Sequence, residues 1–299
     1  MGSCFFITAM KPVIDSIVLG PRSVDILRLD KMTPSGIGNK YYKLKYNLEA
    51  ARQSGATTLL SFGGAFSNHI QALAVSGKAA GFRTIGVIRG EDDPQNPTLQ
   101  LVRRQGMQLH FVERSVYREK TSARFLMQMR RQFGDFYLLP EGGSNELAVQ
   151  GAAEILEAVP PVYDRIFVAC GTGATLAGII QSAPLHAQVT GVSVLKGTDM
   201  LTRQVAEYLP EGRSYAKWHI TFGYHLGGYA RKHPELSQFI RNVQANTGLE
   251  TDPVYTAKMV FAVHDLCQKG SIAAHEKVLL IHTGGLQGLD GWHYRFGKG

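Results

Sequence analysis

Gly38-Asn39-Lys40-Tyr41-Tyr42-Lys43-Leu44 places a lysine where a turn hands over to an amphipathic helix. On a flexible surface a lysine is a solvated point charge. Between a conformationally permissive Gly-Asn pair and an apolar helix it is held in place and partly desolvated. A desolvated amine loses its proton more easily, and the neutral amine condenses with aldehydes. Taken alone, the stretch also suits a plain helix start carrying two surface lysines. Segments further along the chain supply what an aldehyde cofactor would need.

Outward from this stretch the hydrophobic pattern switches period repeatedly. Residues 24–29 read as a strand and 40–54 as a helix. A second strand (57–61) is followed by a second helix (68–80). Residues 84–88, 109–112, 136–139, 165–169, 189–194 and 278–281 are further strands with helical segments between them. Short, apolar, β-branched runs alternating with helices imply an α/β fold with parallel sheets covered on both faces. Ligands in such folds sit beyond the carboxyl ends of the strands, where the Gly-rich segments of this chain fall. Pro140-Glu141-Gly142-Gly143 marks a boundary, so a smaller α/β unit is expected over 44–142. A larger one takes 1–43 and 143–299, with the active site in the cleft between them.

Composition narrows the class. The chain has 299 residues, 44% hydrophobic and 19% charged, which suits an ordinary globular protein of two units. No apolar run has the length of a membrane span. Cys4-Phe5-Phe6-Ile7-Thr8-Ala9-Met10 is too short, and lacks a basic leader, for a secretory signal; it reads as an edge strand, or as an overcalled start with Met10 the initiator. Cys4, Cys170 and Cys267, odd in number and widely spaced, argue against disulfides and for the cytoplasm. The net charge of +8 comes from dispersed residues (Arg103-Arg104, Lys120, Arg130-Arg131, Arg231-Lys232) without an aromatic-interleaved stripe. It points to anionic small molecules and away from nucleic acid. Ten histidines without paired ligand spacing indicate no metal.

Three further segments carry chemistry. Gly63-Gly64-Ala65-Phe66-Ser67-Asn68-His69 follows the second strand. Ser67 is a good N-cap, the free N–H groups of the helix start attract a carboxylate, and Ser67, Asn68 and His69 would stand at the mouth of a site. Cys170-Gly171-Thr172-Gly173-Ala174-Thr175 is a strand, a Gly-rich turn and a helix start, the recipe for gripping a phosphate. It fails as a dinucleotide fingerprint because Leu176 occupies the third glycine position and no acidic residue lies about twenty residues on. It also lacks a Walker lysine. A cup of this kind suits a mononucleotide-sized cofactor such as pyridoxal phosphate. Asp252-Pro253-Val254-Tyr255-Thr256 opens a helix, and His282-Thr283-Gly284-Gly285 ends the last strong strand.

In this order the segments resemble the pyridoxal-phosphate enzymes of the tryptophan-synthase β fold type. More narrowly, they resemble the 1-aminocyclopropane-1-carboxylate deaminase and D-cysteine desulfhydrase family, over nearly the whole chain. The resemblance implies two open, twisted, mostly parallel sheets, each flanked by helices. It implies that Lys40 carries the cofactor as a Schiff base and moves protons at the substrate, and that Lys43 lies toward the phosphate. Gly171, Thr172, Gly173, Ala174 and Thr175 would form the phosphate cup. Ser67, Asn68 and His69 would receive the substrate carboxylate, and this segment would also hydrogen-bond the phenolic oxygen of the cofactor. Tyr229 and Tyr255 match active-site tyrosines, and Thr256 the partner of the pyridine nitrogen. Relatives of this kind are often dimers, which implies a homodimer.

A carboxylate in the place of Thr256 would keep the pyridine nitrogen protonated, as opening a cyclopropane demands. A hydroxyl suffices when a good β leaving group departs after Cα deprotonation. The expected activity is therefore a lyase acting on a small amino acid, D-cysteine first and 1-aminocyclopropane-1-carboxylate second. The chain departs from the family at Ile37, at Leu29 and Lys31 beside Asp30, and at Leu286-Gln287-Gly288-Leu289. Those departures also fit a cofactor-binding protein without turnover. A nucleotide-dependent oxidoreductase is disfavoured by Leu176.

Overall fold

The computed structural model describes residues 11–197 and 199–297. Its ten strands are β1 (Ile14–Leu19), β2 (Arg22–Arg28), β3 (Thr58–Gly64), β4 (Arg83–Arg89), β5 (Gln108–Val112), β6 (Tyr137–Leu138), β7 (Arg165–Cys170), β8 (Gln188–Ser193), β9 (Lys217–Thr221) and β10 (Val278–His282). They form a six-stranded sheet in the order β1-β2-β10-β7-β8-β9 and a four-stranded sheet in the order β5-β4-β3-β6. Every pairing is parallel except β1 with β2. Helices connect the parallel strands, as the crossover geometry of such pairs requires.

The strands expected from the apolar runs are all present. Two more, β1 and β9, were not expected. Both are edge strands with few buried side chains: Val18 in β1 is 68% exposed, and Lys217 and His219 in β9 face solvent. Leu29, fully buried, does not extend β2 as expected of the 24–29 strand; it opens a short helix, Leu29–Met32. The edge strand or alternative start considered at Cys4–Met10 lies outside the described residues.

Residues of the buried strands alternate between opposite faces. In β10, Leu279 and Ile281 join the core that lies between the sheets, while Val278 and Leu280 join a second core on the far face with Ile26, Phe167 and Val263. In β3, Leu59 joins the central core while Leu60 and Phe62 face a third cluster with Ile85, Val87, Phe125 and Met129. The central core takes residues from both sheets and from the helices Asn39–Gln53, Asn68–Ala79, Glu146–Ala153 and Ala174–Ser182. No helix among the described residues is long and apolar enough to cross a membrane.

Two glycines let these helices approach closely. A Cβ on Gly151 would lie 2.0 Å from the Tyr42 carbonyl oxygen, and one on Gly178 would lie 2.5 Å from Ala152 Cβ. The first contact is against backbone, which cannot rotate away. Gly151→Ala is therefore expected to destabilise the fold by about 2 kcal/mol or more through overpacking, measured as a lower denaturation midpoint with unchanged slope.

Candidate active site

The lysine turn is fixed from both sides. The Thr33 hydroxyl donates to the Leu29 carbonyl (2.8 Å) and accepts from the Gly38 N–H (2.7 Å). Gly38 has φ +61°, and a Cβ there would lie 2.0 Å from the Thr283 carbonyl oxygen. With no side chain in the way, the Asn39 N–H reaches that oxygen at 3.0 Å. The helix Asn39–Gln53 thus starts against the carboxyl end of β10. Its second residue, Lys40, projects into a cleft of about 1180 Å³ between the two sheets. Burial brings the Lys40 amine down to about 8, opposed by the nearby Asp252 carboxylate. Its one polar neighbour within reach among the described residues is Asn39 Oδ1 at 3.5 Å, and Asn39 Nδ2 donates to Thr175 Oγ1 (2.8 Å).

Lys43 follows on the same face, 2% exposed. Its amine donates to the Gly142 carbonyl (2.6 Å) and to Ser144 Oγ (2.8 Å). Burial, and then the charge of Lys40, drives it well below the ordinary lysine range. Ser144 in turn bonds the Thr172 hydroxyl, which joins Lys43 to the Gly-Thr turn. There Gly173, at φ +82°, leads into the helix Ala174–Ser182 with its first N–H groups directed at the cleft end. Gly171, Thr172, Gly173 and Thr175 line the cleft; Ala174 is fully buried behind them. The Cys170 thiol beside the cup is pushed up to about 12 by burial and is no nucleophile.

Ser67 caps the helix Asn68–Ala79, accepting from the Ile70 N–H at 3.3 Å. Asn68 lines the cleft and lies against the Gly285-to-Gly288 turn: Cβ atoms there would be 3.0 Å from its Nδ2 and 2.9 Å from its Oδ1. His69 lines the cleft with Ser67 and Asn68, but from deeper in. It is 2% exposed and forms part of the wall, its Nε2 paired with Ser61 Oγ (2.8 Å) and its ring against Gly143. Burial, reinforced by Lys40 and Lys43, moves it well below the ordinary histidine range, so the ring is neutral. Its Nδ1 is buried without a partner.

Tyr229 and Tyr255 close one side. Their rings meet edge to face at 5.9 Å, with the hydroxyls 3.3 Å apart. Tyr255 lies against Gly171, where a Cβ would come within 3.1 Å of the ring. Burial, and then Tyr229, raises the Tyr255 hydroxyl well above its usual range, so it stays protonated as a donor. Thr256 does not line the cleft. It is fully buried, and its hydroxyl donates to Asp252 Oδ2 at 2.6 Å and accepts from the Asp252 N–H at 2.8 Å. Asp252 itself lines the cleft, and its carboxylate accepts from the N–H groups of Val254, Tyr255 and Thr256.

Three contributors escaped the sequence reading. Asp252 looked like a capping residue only. Ser144 carried no motif. Nothing in the sequence singles out Lys258, yet it is fully buried and donates to the Gly228 carbonyl at 2.7 Å. That bond pins the Leu226–Ala230 loop, where Leu226, Gly227, Gly228 and Ala230 all have positive φ, and so holds Tyr229 over Tyr255. No periodicity distinguishes this lysine from a solvated one.

A buried amine of lowered proton affinity, a Gly-Thr turn at a helix start with two hydroxyls, and a cleft between two sheets fit a phosphate-bearing aldehyde. They define an α/β enzyme of the two-sheet, Schiff-base class. The chain belongs to the pyridoxal-phosphate dependent enzymes, whose family pattern matches residues 19–284, and within them to the 1-aminocyclopropane-1-carboxylate deaminase and D-cysteine desulfhydrase group. It is 28% identical over 281 residues to the mitochondrial bifunctional D-cysteine desulfhydrase/1-aminocyclopropane-1-carboxylate deaminase of Arabidopsis thaliana, covering 84% of this chain and 69% of that protein. To the 1-aminocyclopropane-1-carboxylate deaminase of Rhizobium leguminosarum bv. viciae it is 28% identical over 292 residues (88% and 86%). The crystal structure of an ACC deaminase homologue superposes with a TM-score of 0.78 at 26% identity, over 95% of this chain and 92% of that one.

Two outcomes follow from the geometry. Because the Lys40 amine titrates near 8, the rate at which the apoprotein captures pyridoxal phosphate is expected to rise between pH 7 and 9 with an apparent midpoint of about 8, followed by visible absorbance. Lys258→Met would leave the buried Gly228 carbonyl unpaired, costing about 1–3 kcal/mol, and would free Tyr229; a lower Tm together with reduced turnover in steady-state kinetics is the expected pair of readouts.

Proposed function

We propose that the chain catalyses α,β-elimination from a small amino acid. D-cysteine or a close analogue is the leading substrate, giving pyruvate, ammonia and hydrogen sulfide. When bound, pyridoxal phosphate supplies an electron-withdrawing ring that stabilises negative charge at the substrate Cα. This reading gives the chain's own residues the following work. Lys40 holds the aldehyde end and moves the Cα proton, for which an amine titrating near 8 is suited. Thr172, Thr175 and the N–H groups of the Gly171-to-Thr175 turn hold the phosphate, with Lys43 behind them. The helix start at Ser67 and Asn68 takes the α-carboxylate, and His69 shapes the wall beneath it. Tyr229 and Tyr255 cover the opposite side and exclude water.

Elimination is favoured over ring opening by the residue type at position 256, a hydroxyl and not a carboxylate, although the structure turns that hydroxyl away from the cleft toward Asp252. Nothing at that position holds a proton on the pyridine nitrogen with a full negative charge, and loss of a β substituent asks less of the ring than carbon–carbon cleavage. One observation favours the second reading, deamination of 1-aminocyclopropane-1-carboxylate: an acidic residue, Asp252, lines the cleft four residues earlier. Free, buried Cys170 and Cys267 support a reducing compartment, and we take the protein to be a cytoplasmic homodimer with residues 44–142 as its smaller unit.

Reconstituted protein should be coloured, borohydride should fix the cofactor to Lys40, and Lys40→Ala should abolish both. A panel of D- and L-amino acids assayed for keto acid then separates the readings. Pyruvate with sulfide from D-cysteine is expected; 2-oxobutanoate from the cyclopropane amino acid would favour the second. A coloured protein releasing no keto acid from any of them would overturn the enzymatic assignment of substrate class.

A further inference from the structure

The cleft is more positive than this reaction requires. Eight of the chain's 32 lysines and arginines line it, against two of its 24 carboxylates. Lys40 and Lys43 belong to the cofactor end. Lys120 is answered by Glu141 at 3.2 Å, and Asp252 is committed to its own turn. Arg89, Arg114, Arg118, Arg231 and Arg295 remain, and none has an acidic partner among the described residues. Five like charges around one opening repel one another and focus a field that attracts anions.

Arg89 is the best placed of the five. It closes β4 directly opposite Gly64, the last residue of β3, three residues before the capping Ser67. Its guanidinium lies 3.7 Å from where Gly64 would carry a Cβ and 5.6 Å from the centre of the Tyr117 ring. Lys120 lies over the same ring at 4.8 Å, and the Tyr117 hydroxyl donates to Glu141 at 2.8 Å. The Tyr117, Glu141 and Lys120 side chains are thus satisfied among themselves. They support Arg89 beside the turn while leaving its donors free. The charge of Arg89 also reaches the Tyr229 hydroxyl on the far side of the opening.

We propose that Arg89, backed by the other four arginines, forms a subsite for a second negative charge, so that the preferred substrate is an amino acid with an anionic β substituent. Phosphate and sulfonate meet this condition and can leave with the electron pair of the broken bond. A β-carboxylate meets it for binding only, and a cysteine thiolate meets it if its sulfur takes a proton on leaving as HS−. Arginine suits the task because its fork takes two oxygens at once and its charge persists at every physiological pH. The inference rests on the elimination reading, since it takes the α-carboxylate as held at Ser67 and Asn68.

The test uses the pyridoxal-phosphate holoenzyme and amino acids paired on one skeleton: O-phosphoserine with serine, and aspartate with asparagine, each as both enantiomers. Binding is followed through the visible absorbance of the cofactor at about 20 mM and about 200 mM salt. The anionic member is expected to bind about tenfold more tightly at low salt, an advantage that salt reduces, that Arg89→Gln removes and that Arg89→Lys partly keeps. Equal affinity within each pair would overturn the subsite. So would an Arg89→Gln loss shared equally by both members, which would put Arg89 on the α-carboxylate. A coloured holoenzyme whose absorbance responds to no amino acid would overturn the elimination reading together with the subsite. Paired binding without an anionic preference would overturn the subsite alone.

Discussion

The site depends on one contact of backbone against backbone. Gly38 and Gly284 meet so closely that a Cβ on either would fall within 2.8 Å of the other's Cα. This approach lets the Asn39 N–H find the Thr283 carbonyl and sets the start of the Asn39–Gln53 helix against the end of β10. Because residues three apart share a helix face, Lys40 and Lys43 then point into one cavity. In that desolvated space burial lowers the proton affinity of both amines, and the charge of Lys40 lowers that of Lys43 further. A steric condition on a glycine therefore becomes a chemical condition on a lysine.

The same logic separates what the sequence revealed from what it concealed. Long apolar runs and Gly-rich strand ends are local signals, and the strands, the two-sheet architecture and the Lys40 turn could be read from them. The edge strands β1 and β9 bury too little to show a strong pattern. Side-chain direction is settled by individual partners, some near in sequence and some distant. His69 turns inward because Ser61 and Gly143 hold its ring, and Thr256 turns away because Asp252 offers both an acceptor and a donor. Lys258 goes inside because the carbonyl of Gly228, thirty residues earlier, awaits it. None of these choices has a periodicity.

Charge is distributed in the cleft by depth. On its floor, burial disfavours the protonated forms of Lys40, Lys43 and His69, leaving amines and an imidazole able to accept protons. At the rim the five arginines are exposed to water, so leaving them unpaired costs the fold little. An anion entering the opening therefore moves down a favourable potential toward a floor whose basic groups hold their protons less tightly than usual. A phosphate beside Lys43 would offset the desolvation that works against its charge. Neutral amines suit capture of an aldehyde, and charged guanidinium groups suit attraction of its ligands. The fold obtains both from basic residues by burying one set and exposing the other.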